Sequence, residues 1–418
     1  MRFPRLLGQQ WGITTTRNCL EAMKFILRPG ETIEGPAISQ YENLFARQVG
    51  VHHAVSFVSG RVAFYAFLKA IDLREGDEVL LQVPTHIVVA NAIRYAGGVP
   101  VYVDCGIDTF NMDLDLVEKK ITPRSRVLLI QHTFGIPADM GRALDLARKH
   151  NLVLIEDCVH ALGAEYGGRQ AGSMGAAAFF STEETKIISS TMGGMAVTDD
   201  TNLAEKIRAI QAQCAWPVPS IARRYLFKLV MYHVFTHPSI HTFTRPLYMY
   251  LRRYPSMHLA PGPTQALETE GNPASRYLQR LTNGQAAVAL RQLQTLESNL
   301  QHRRRTARAY HRLFEADGHA VVKIPEDTNP SFVRYPLSVS DRLAAVKACS
   351  RTVILGQWFN TVLEESASPI HGGYSMGSCP VAELLSNHLV NLPTHYRVRE
   401  VDISDIVAKL KGFVWKPQ

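Results

Sequence analysis

Three short stretches of this chain carry side-chain types that could bind a charged organic group or move a proton. Ser59-Gly60-Arg61 lies between an apolar run, AVSFV (54–58), and a helix-forming run, RVAFYAFLKAI. A turn of that kind presents backbone N–H groups at a helix N-terminus, where a phosphate can be held. Ser-Gly is also a common turn and N-cap, so the tripeptide alone leaves both readings open. Glu156-Asp157 ends LVLIED (152–157) and is followed by Cys158, Val159 and His160. A carboxylate at that place can pair with a bound cation or merely cap the next helix. FFSTEETK sets Ser181 five residues before Lys186, with MGGM a little further on. A lysine amine becomes a nucleophile when desolvation lowers its pKa, whereas an isolated lysine is most often a solvated charge.

Such side chains act together only if the fold brings them to one edge. AVSFV, EVLLQV (78–83), VPVYVD (99–104), RVLLIQ (126–131) and LVLIED are apolar stretches rich in Val, Ile and Leu. Helical stretches at 86–96, 113–120 and 139–150 separate them. Short apolar runs alternating with helices mark parallel strands covered on both faces, so a doubly wound α/β domain is expected. Ligands of such sheets sit beyond the carboxyl ends of the strands, where all three stretches fall. Residues 215–265 break the alternation with Pro, aromatic and basic residues. NGQAAVALRQLQTLESNLQHRRRTARAYHRLF (283–314) then reads as one long helix. The expected organisation is a large domain over 1–270, with the interruption as an insertion, and a smaller C-terminal α/β domain over 271–418.

In their order along the chain these pieces resemble the DegT/DnrJ/EryC1/StrS family of pyridoxal-phosphate-dependent sugar aminotransferases. Further pieces of the resemblance are EGPAISQYENLFARQVGV, GGVPVYVD, the GIPADM loop, IEDCVHALGAEYGG, NGQAAVALRQL and CPVAE with NLPTH. The family implies the aspartate-aminotransferase type of fold (fold type I) and an active site at a homodimer interface. It also implies a cofactor, pyridoxal 5'-phosphate, carried as a Schiff base on a lysine, with an aspartate paired to its pyridinium nitrogen. Lys186 matches the lysine and Asp157 the aspartate. His160 matches a position facing the ring oxygen, and a satisfied structural histidine is its alternative reading. His86, in PTH, matches the residue stacked on the ring. Ser181 matches the serine on the phosphate, together with the N–H groups of Gly60 and Arg61. Two departures stand out. Arg61 replaces a usual Thr, and its side chain could reach the phosphate or point elsewhere. Leu278 stands where the family has an Asn that reaches the neighbouring subunit's phosphate, leaving Arg276 or Asn283 as substitutes.

Composition narrows the class further. With 46% hydrophobic and 20% charged residues the 418-residue chain has a globular balance, which excludes a collagen-like, coiled-coil or wholly disordered protein. Six Cys lie far apart, with no CxxC pair, and sixteen His show no HExxH, so no metal site is expected. No apolar run resembles a secretory signal or a spanning helix, and a cytoplasmic protein is expected. The net charge of +8 has a local origin. Residues 206–267 contain eight Lys and Arg and no Asp or Glu; outside them 37 basic residues face 37 acidic ones. Nucleic acid is therefore not an expected partner. The basic, aromatic stretch 220–257 reads either as a hairpin packed on the enzyme or its dimer partner, or as a segment lying at a membrane surface. The function expected is transfer of an amino group from an amino acid to a keto sugar, nucleotide-linked or, if the membrane reading holds, lipid-linked. A cofactor-dependent elimination and a non-catalytic binding or scaffold homologue are the alternatives.

Overall fold

The computed structural model describes residues 5–9, 13–251, 266–273 and 277–415. Arg276 and the end of the basic stretch, residues 252–257, lie outside them.

Seven strands form the central sheet: β1 (His53–Phe57), β2 (Glu78–Gln82), β3 (Val99–Val103), β4 (Ser125–Gln131), β5 (Val153–Asp157), β6 (Ala177–Ser181) and β7 (Gly194–Thr198). Their spatial order is β1-β7-β6-β5-β4-β2-β3. The run from β6 to β3 is parallel, while β7 is antiparallel to both β6 and β1. Two antiparallel steps restore direction, so β1 ends at the same edge as the parallel strands. The pleat then sorts the side chains by parity. Val79, Leu81, Val127, Leu129, Ile155 and Phe179 enter one core, whereas Leu80, Leu128, Ile130 and Leu154 enter another on the opposite face. Both faces are apolar because helices cover both.

Those helices include α1 (Thr16–Leu27), α2 (Ala37–Val49), α3 (Gly60–Ala70), α4 (Ile87–Tyr95), α5 (Met140–Lys149) and α6 (Thr201–Gln213). The helix expected at 113–120 is instead two short 3-10 turns, Leu114–Leu116 and Glu118–Lys120. The Asp113 side chain caps the first of them by accepting from the Asp115 N–H at 3.0 Å, a local bond that competes with a longer helix.

Within the insertion, α7 (Pro219–Phe235) and α8 (Pro238–Leu251) form a helical hairpin. Pro219 and Pro238 each begin a helix, where a missing N–H costs nothing. Next come α9 (Asn283–Leu293) and α10 (Leu296–Ala316). The single helix expected over 283–314 is thus broken at Gln294–Thr295. α9 packs on α1 and α2, so Ala286, Val288 and Leu293 share a core with Phe45 and Phe180. The C-terminal part adds β8 (Tyr335–Ser338) paired antiparallel with β9 (Leu389–Leu392), and helices α11 (Arg342–Cys349), α12 (Pro380–His388) and α13 (Glu400–Leu410). It reaches back to the large sheet's edge through a short parallel pairing of 363–364 with 85–86.

Candidate active site

All three chemical stretches meet at the carboxyl edge of the sheet. At one end, β1 turns through Ser59 into α3, which no side chain caps. The first N–H groups of a helix have no intrahelical acceptor. Ser59 Oγ beside them is buried without a hydrogen-bond partner among the described residues. The turn is held close to the neighbouring strands. A Cβ on Gly60 would lie 2.9 Å from the Phe180 carbonyl oxygen and 3.2 Å from Ser181 Cβ, so Ser181 adjoins the helix start. A Cβ on Gly194 would lie 2.2 Å from the Ser59 carbonyl carbon. MGGM is therefore needed for close approach, since β7 runs directly under the Ser59-Gly60 turn. Orphaned donors, a spare serine hydroxyl and the Ser181 hydroxyl together make a cradle for a phosphate.

Asp157 ends β5, 1% exposed. Its Oδ1 accepts from the Val159 N–H at 3.1 Å. Burial raises its pKa to about 6, opposed by that hydrogen bond and by the charges of Lys186, His132 and His86. A carboxylate so short of partners is suited to a cationic ring nitrogen. The preceding Glu156 plays a different part. Its carboxylate accepts from the N–H groups of Gly172, Met174 and Gly175 at 2.7–2.8 Å and pairs with His132 Nε2 at 3.1 Å. His132 Nδ1 accepts from the Ala138 N–H. The cluster of His132, Glu156 and Cys158 has the atom spacing of a metal site, but its His and Glu atoms are already committed to the protein.

Lys186 follows β6 in a half-buried loop. Burial lowers its pKa to about 8 and Arg334 acts the same way, against Glu183, Asp157 and Glu365. Its loop is clamped from three directions. Gln285 and Gln292 of α9 donate to the carbonyls of Met192 and Ser189, and Asn299 of α10 donates to that of Ile187. From α7, Lys228 pairs with Glu184 at 2.8 Å, and the Tyr225 carbonyl accepts from Thr191 Oγ1 at 3.0 Å.

His160 stacks between Phe134 (6.2 Å between ring centroids) and Trp358 (4.7 Å). Its Nδ1 accepts from the Phe134 N–H at 3.4 Å, and burial holds its pKa well below the usual value. The ring is therefore neutral with its proton on Nε2, a donor for a phenolic oxygen. His86 starts α4; its Nδ1 accepts from the Val88 N–H at 3.3 Å and its Nε2 lies 3.4 Å from Glu365 Oε2.

Arg61 takes the second of its two alternatives. Its Nε lies 3.2 Å from Glu268 Oε1, so the guanidinium points elsewhere and only the backbone N–H remains at the helix start. Asn283 does not stand in for the missing Asn: its side chain accepts from the Ala37 N–H and donates to the Glu31 carbonyl, which fixes the N-terminal loop. Leu278 is 38% exposed.

Two residues absent from the sequence reading complete the site. Trp358 lies beneath the amine, with Lys186 Nζ 4.3 Å from its ring centroid. The Arg334 guanidinium carbon is 3.4 Å from the same centroid. Arg334 is buried, its Nε has no hydrogen-bond partner among the described residues, and its Nη1 reaches Asn391 Oδ1 at 3.4 Å. No local pattern marks either residue, because both come from the C-terminal part.

A buried carboxylate, a desolvated lysine amine, a flat neutral imidazole and an anion cradle at one sheet edge fit pyridoxal phosphate, and they define an enzyme of the fold type I class. The chain belongs to the DegT/DnrJ/EryC1/StrS aminotransferase family, whose profile matches residues 14–225 and 263–411. It is 31% identical over 386 residues to a GDP-perosamine synthase of Caulobacter vibrioides, covering 90% of each chain. The crystal structure of DesV from S. venezuelae is similar at a TM-score of 0.72 and 25% identity, over 95% of this chain and 94% of that one. The sugar aminotransferase Spr1654 of Streptococcus pneumoniae, described as putative and solved in its PLP form, shares the fold at a TM-score of 0.73 and 19% identity, over 99% of this chain and 98% of that one. The protein is a pyridoxal-phosphate-dependent aminotransferase.

Proposed function

We propose that this enzyme moves the amino group of an amino acid onto a keto sugar carried by a nucleotide, with pyridoxal phosphate held at the edge described above. The observation that carries the reading is the Lys186 amine, desolvated at the sheet edge that also holds Asp157 and the uncapped start of α3. Bound there, the cofactor supplies an electron sink and a carrier for the amino group.

The residues of this chain do the rest. Lys186 Nζ holds the cofactor covalently when no substrate is present, and once released takes the proton from the donor's α-carbon. An amine with a pKa near 8 is suited to both tasks close to neutral pH. Asp157 holds a proton on the ring nitrogen. His160 donates from Nε2 to the ring oxygen, and His86 supplies a flat face. Ser59, Ser181 and the N–H groups of Gly60 and Arg61 bind the phosphate. Arg334 gives the donor's carboxylate a fixed partner: a guanidinium stays charged even where burial disfavours it, and its Nε is spare.

Retention of Lys186 supports transamination over elimination, since the family's sugar dehydratases carry His at that place. A homodimer is part of this reading. With Leu278 in place of Asn, this reading assigns the phosphate to Ser59, Ser181 and the N–H groups of Gly60 and Arg61, and Arg276, the other substitute, lies outside the described residues. The test supplies glutamate and a series of keto sugars, free and nucleotide-linked, and follows nitrogen gain by mass spectrometry. An amino sugar from a nucleotide-linked acceptor is expected. Consumption of the donor's amino group with no sugar aminated would overturn the choice of acceptor.

A further inference from the structure

The family profile leaves out residues 226–262, which hold most of the α7–α8 hairpin. α7 is half sunk into the enzyme: Ala222, Tyr225, Leu226 and Leu229 are buried, and the helix packs on α1. α8 is different. Ile240, Phe243, Leu247 and Tyr250 follow one another at intervals of three and four residues, which places them on one face of the helix. Their exposures are 37%, 67%, 58% and 54%. Phe227, Val234 and Phe235 of α7 are exposed as well. Ile240, Phe243 and Leu247 thus stand exposed along one side of α8, and large apolar side chains grouped in that way on a surface mark an interaction site.

Charge identifies the partner. Residues 206–267 have eight basic and no acidic side chains. Lys206, Arg208 and Lys228 are used in ion pairs with Asp72, Glu42 and Glu184. Arg223, Arg224 and Arg245 join no carboxylate among the described residues. A second copy meeting this patch with its own patch fits poorly, because a two-fold axis there would set it against itself and oppose like charges. No helix among the described residues is long and apolar enough to cross a membrane. Aromatic and aliphatic side chains with unpaired arginines suit a surface of anionic headgroups over acyl chains.

We propose that the α7–α8 hairpin docks this enzyme onto anionic lipid bilayers. Phe243 and Leu247 enter the headgroup boundary, while Arg223, Arg224 and Arg245 meet lipid phosphates. The Lys228–Glu184 pair ties the docked element to the loop of Lys186, so the active site is carried at a fixed orientation to the bilayer. The proposal is independent of which sugar is aminated.

Co-sedimentation of the purified full chain tests it, with vesicles of phosphatidylcholine alone and of phosphatidylcholine mixed with phosphatidylglycerol. Recovery with the anionic vesicles is expected, weakening as salt is raised. The triple variant Arg223→Glu, Arg224→Glu, Arg245→Glu should lose at least about tenfold in partition, from the usual contribution of a basic residue near anionic lipid. Phe243→Ser with Leu247→Ser, both exposed and so tolerated by the fold, should weaken binding at low and high salt alike. Equal recovery with both lipids, unchanged in both variants, would overturn the proposal. So would a change of oligomeric mass in the Phe243→Ser, Leu247→Ser variant with no loss of vesicle binding, which would assign the face to a second copy.

Discussion

Lys186 and Asp157 are drawn toward neutrality by the same cause, burial, which lowers the amine to about 8 and raises the carboxyl to about 6. Only the free amine attacks a carbonyl, and its fraction falls about tenfold for each pH unit below its pKa. Reconstitution of the cofactor-free protein should therefore speed up about tenfold per unit up to pH 8 and then level off. Stopped-flow absorbance measures this, and a rise continuing toward pH 10 would show an unshifted lysine. Asp157→Asn should keep the fold, since among the described residues the Asp157 side chain accepts one hydrogen bond, at Oδ1 from the Val159 N–H. It should nonetheless cut turnover by on the order of a hundredfold or more, by removing the charge that faces the ring nitrogen. Arg334→Gln should raise KM for the amino donor well above its effect on the acceptor. At this scale the sequence was informative where residues are local. Gly60, Asp157, His160, Ser181 and Lys186 lie in motifs beside strand ends, and the structure places them at one edge. Trp358 and Arg334 carry no such sign, because an apolar ring and a lone cation look like core and surface until the C-terminal part is folded over the sheet.

The five strands read from apolar runs match β1 to β5 within a residue or two, because strands buried on both faces leave little choice of side chain; β1 departs from the parallel expectation in pairing antiparallel with β7. What the sequence hid is what tertiary contacts decide. Most residues around Gln294 favour a helix, yet the chain breaks there, where the Thr295 hydroxyl donates back to the Gln292 carbonyl at 3.1 Å. The Gln292 side chain is held by both backbone groups of Ser189, three residues beyond Lys186, which fixes where α9 ends. Likewise, the hairpin's role in the site could not be seen locally, since Lys228 reads as one more basic residue. Its pair with Glu184 is 9% exposed on each side. Lys228→Met leaves a buried carboxylate unpaired, and loss of one partner of such a pair typically costs about 3–5 kcal/mol. A clear fall in Tm is expected by calorimetry, together with weaker cofactor retention, and Lys228→Met combined with Glu184→Gln should recover most of the Tm. No recovery would mean that Lys228 acts through its other contacts. Gly194→Ala is expected to lower Tm clearly by calorimetry and to weaken phosphate binding with it, because the added methyl would meet the backbone of the Ser59-Gly60 turn.

For the whole molecule, the α/β architecture was legible from the alternation of apolar runs and helices. The charge of the chain was legible only as a sum: the excess of eight basic residues is confined to one acid-free window. The structure folds residues 219–251 of that window into a hairpin with one face against the enzyme and another exposed, a distinction no composition can make. A catalytic site on a family fold and a hairpin that the family profile mostly leaves out are separable parts, and the Lys228–Glu184 pair joins them. The catalytic site can be tested directly. The purified protein, supplied with pyridoxal phosphate, should show a visible absorbance band that glutamate or another amino donor abolishes. Borohydride reduction before the donor is added should fix the cofactor to a single peptide carrying Lys186, and Lys186→Ala should abolish both band and label. A label on any other residue, or a protein that binds the cofactor yet shows no spectral change with any amino donor, would contradict the account.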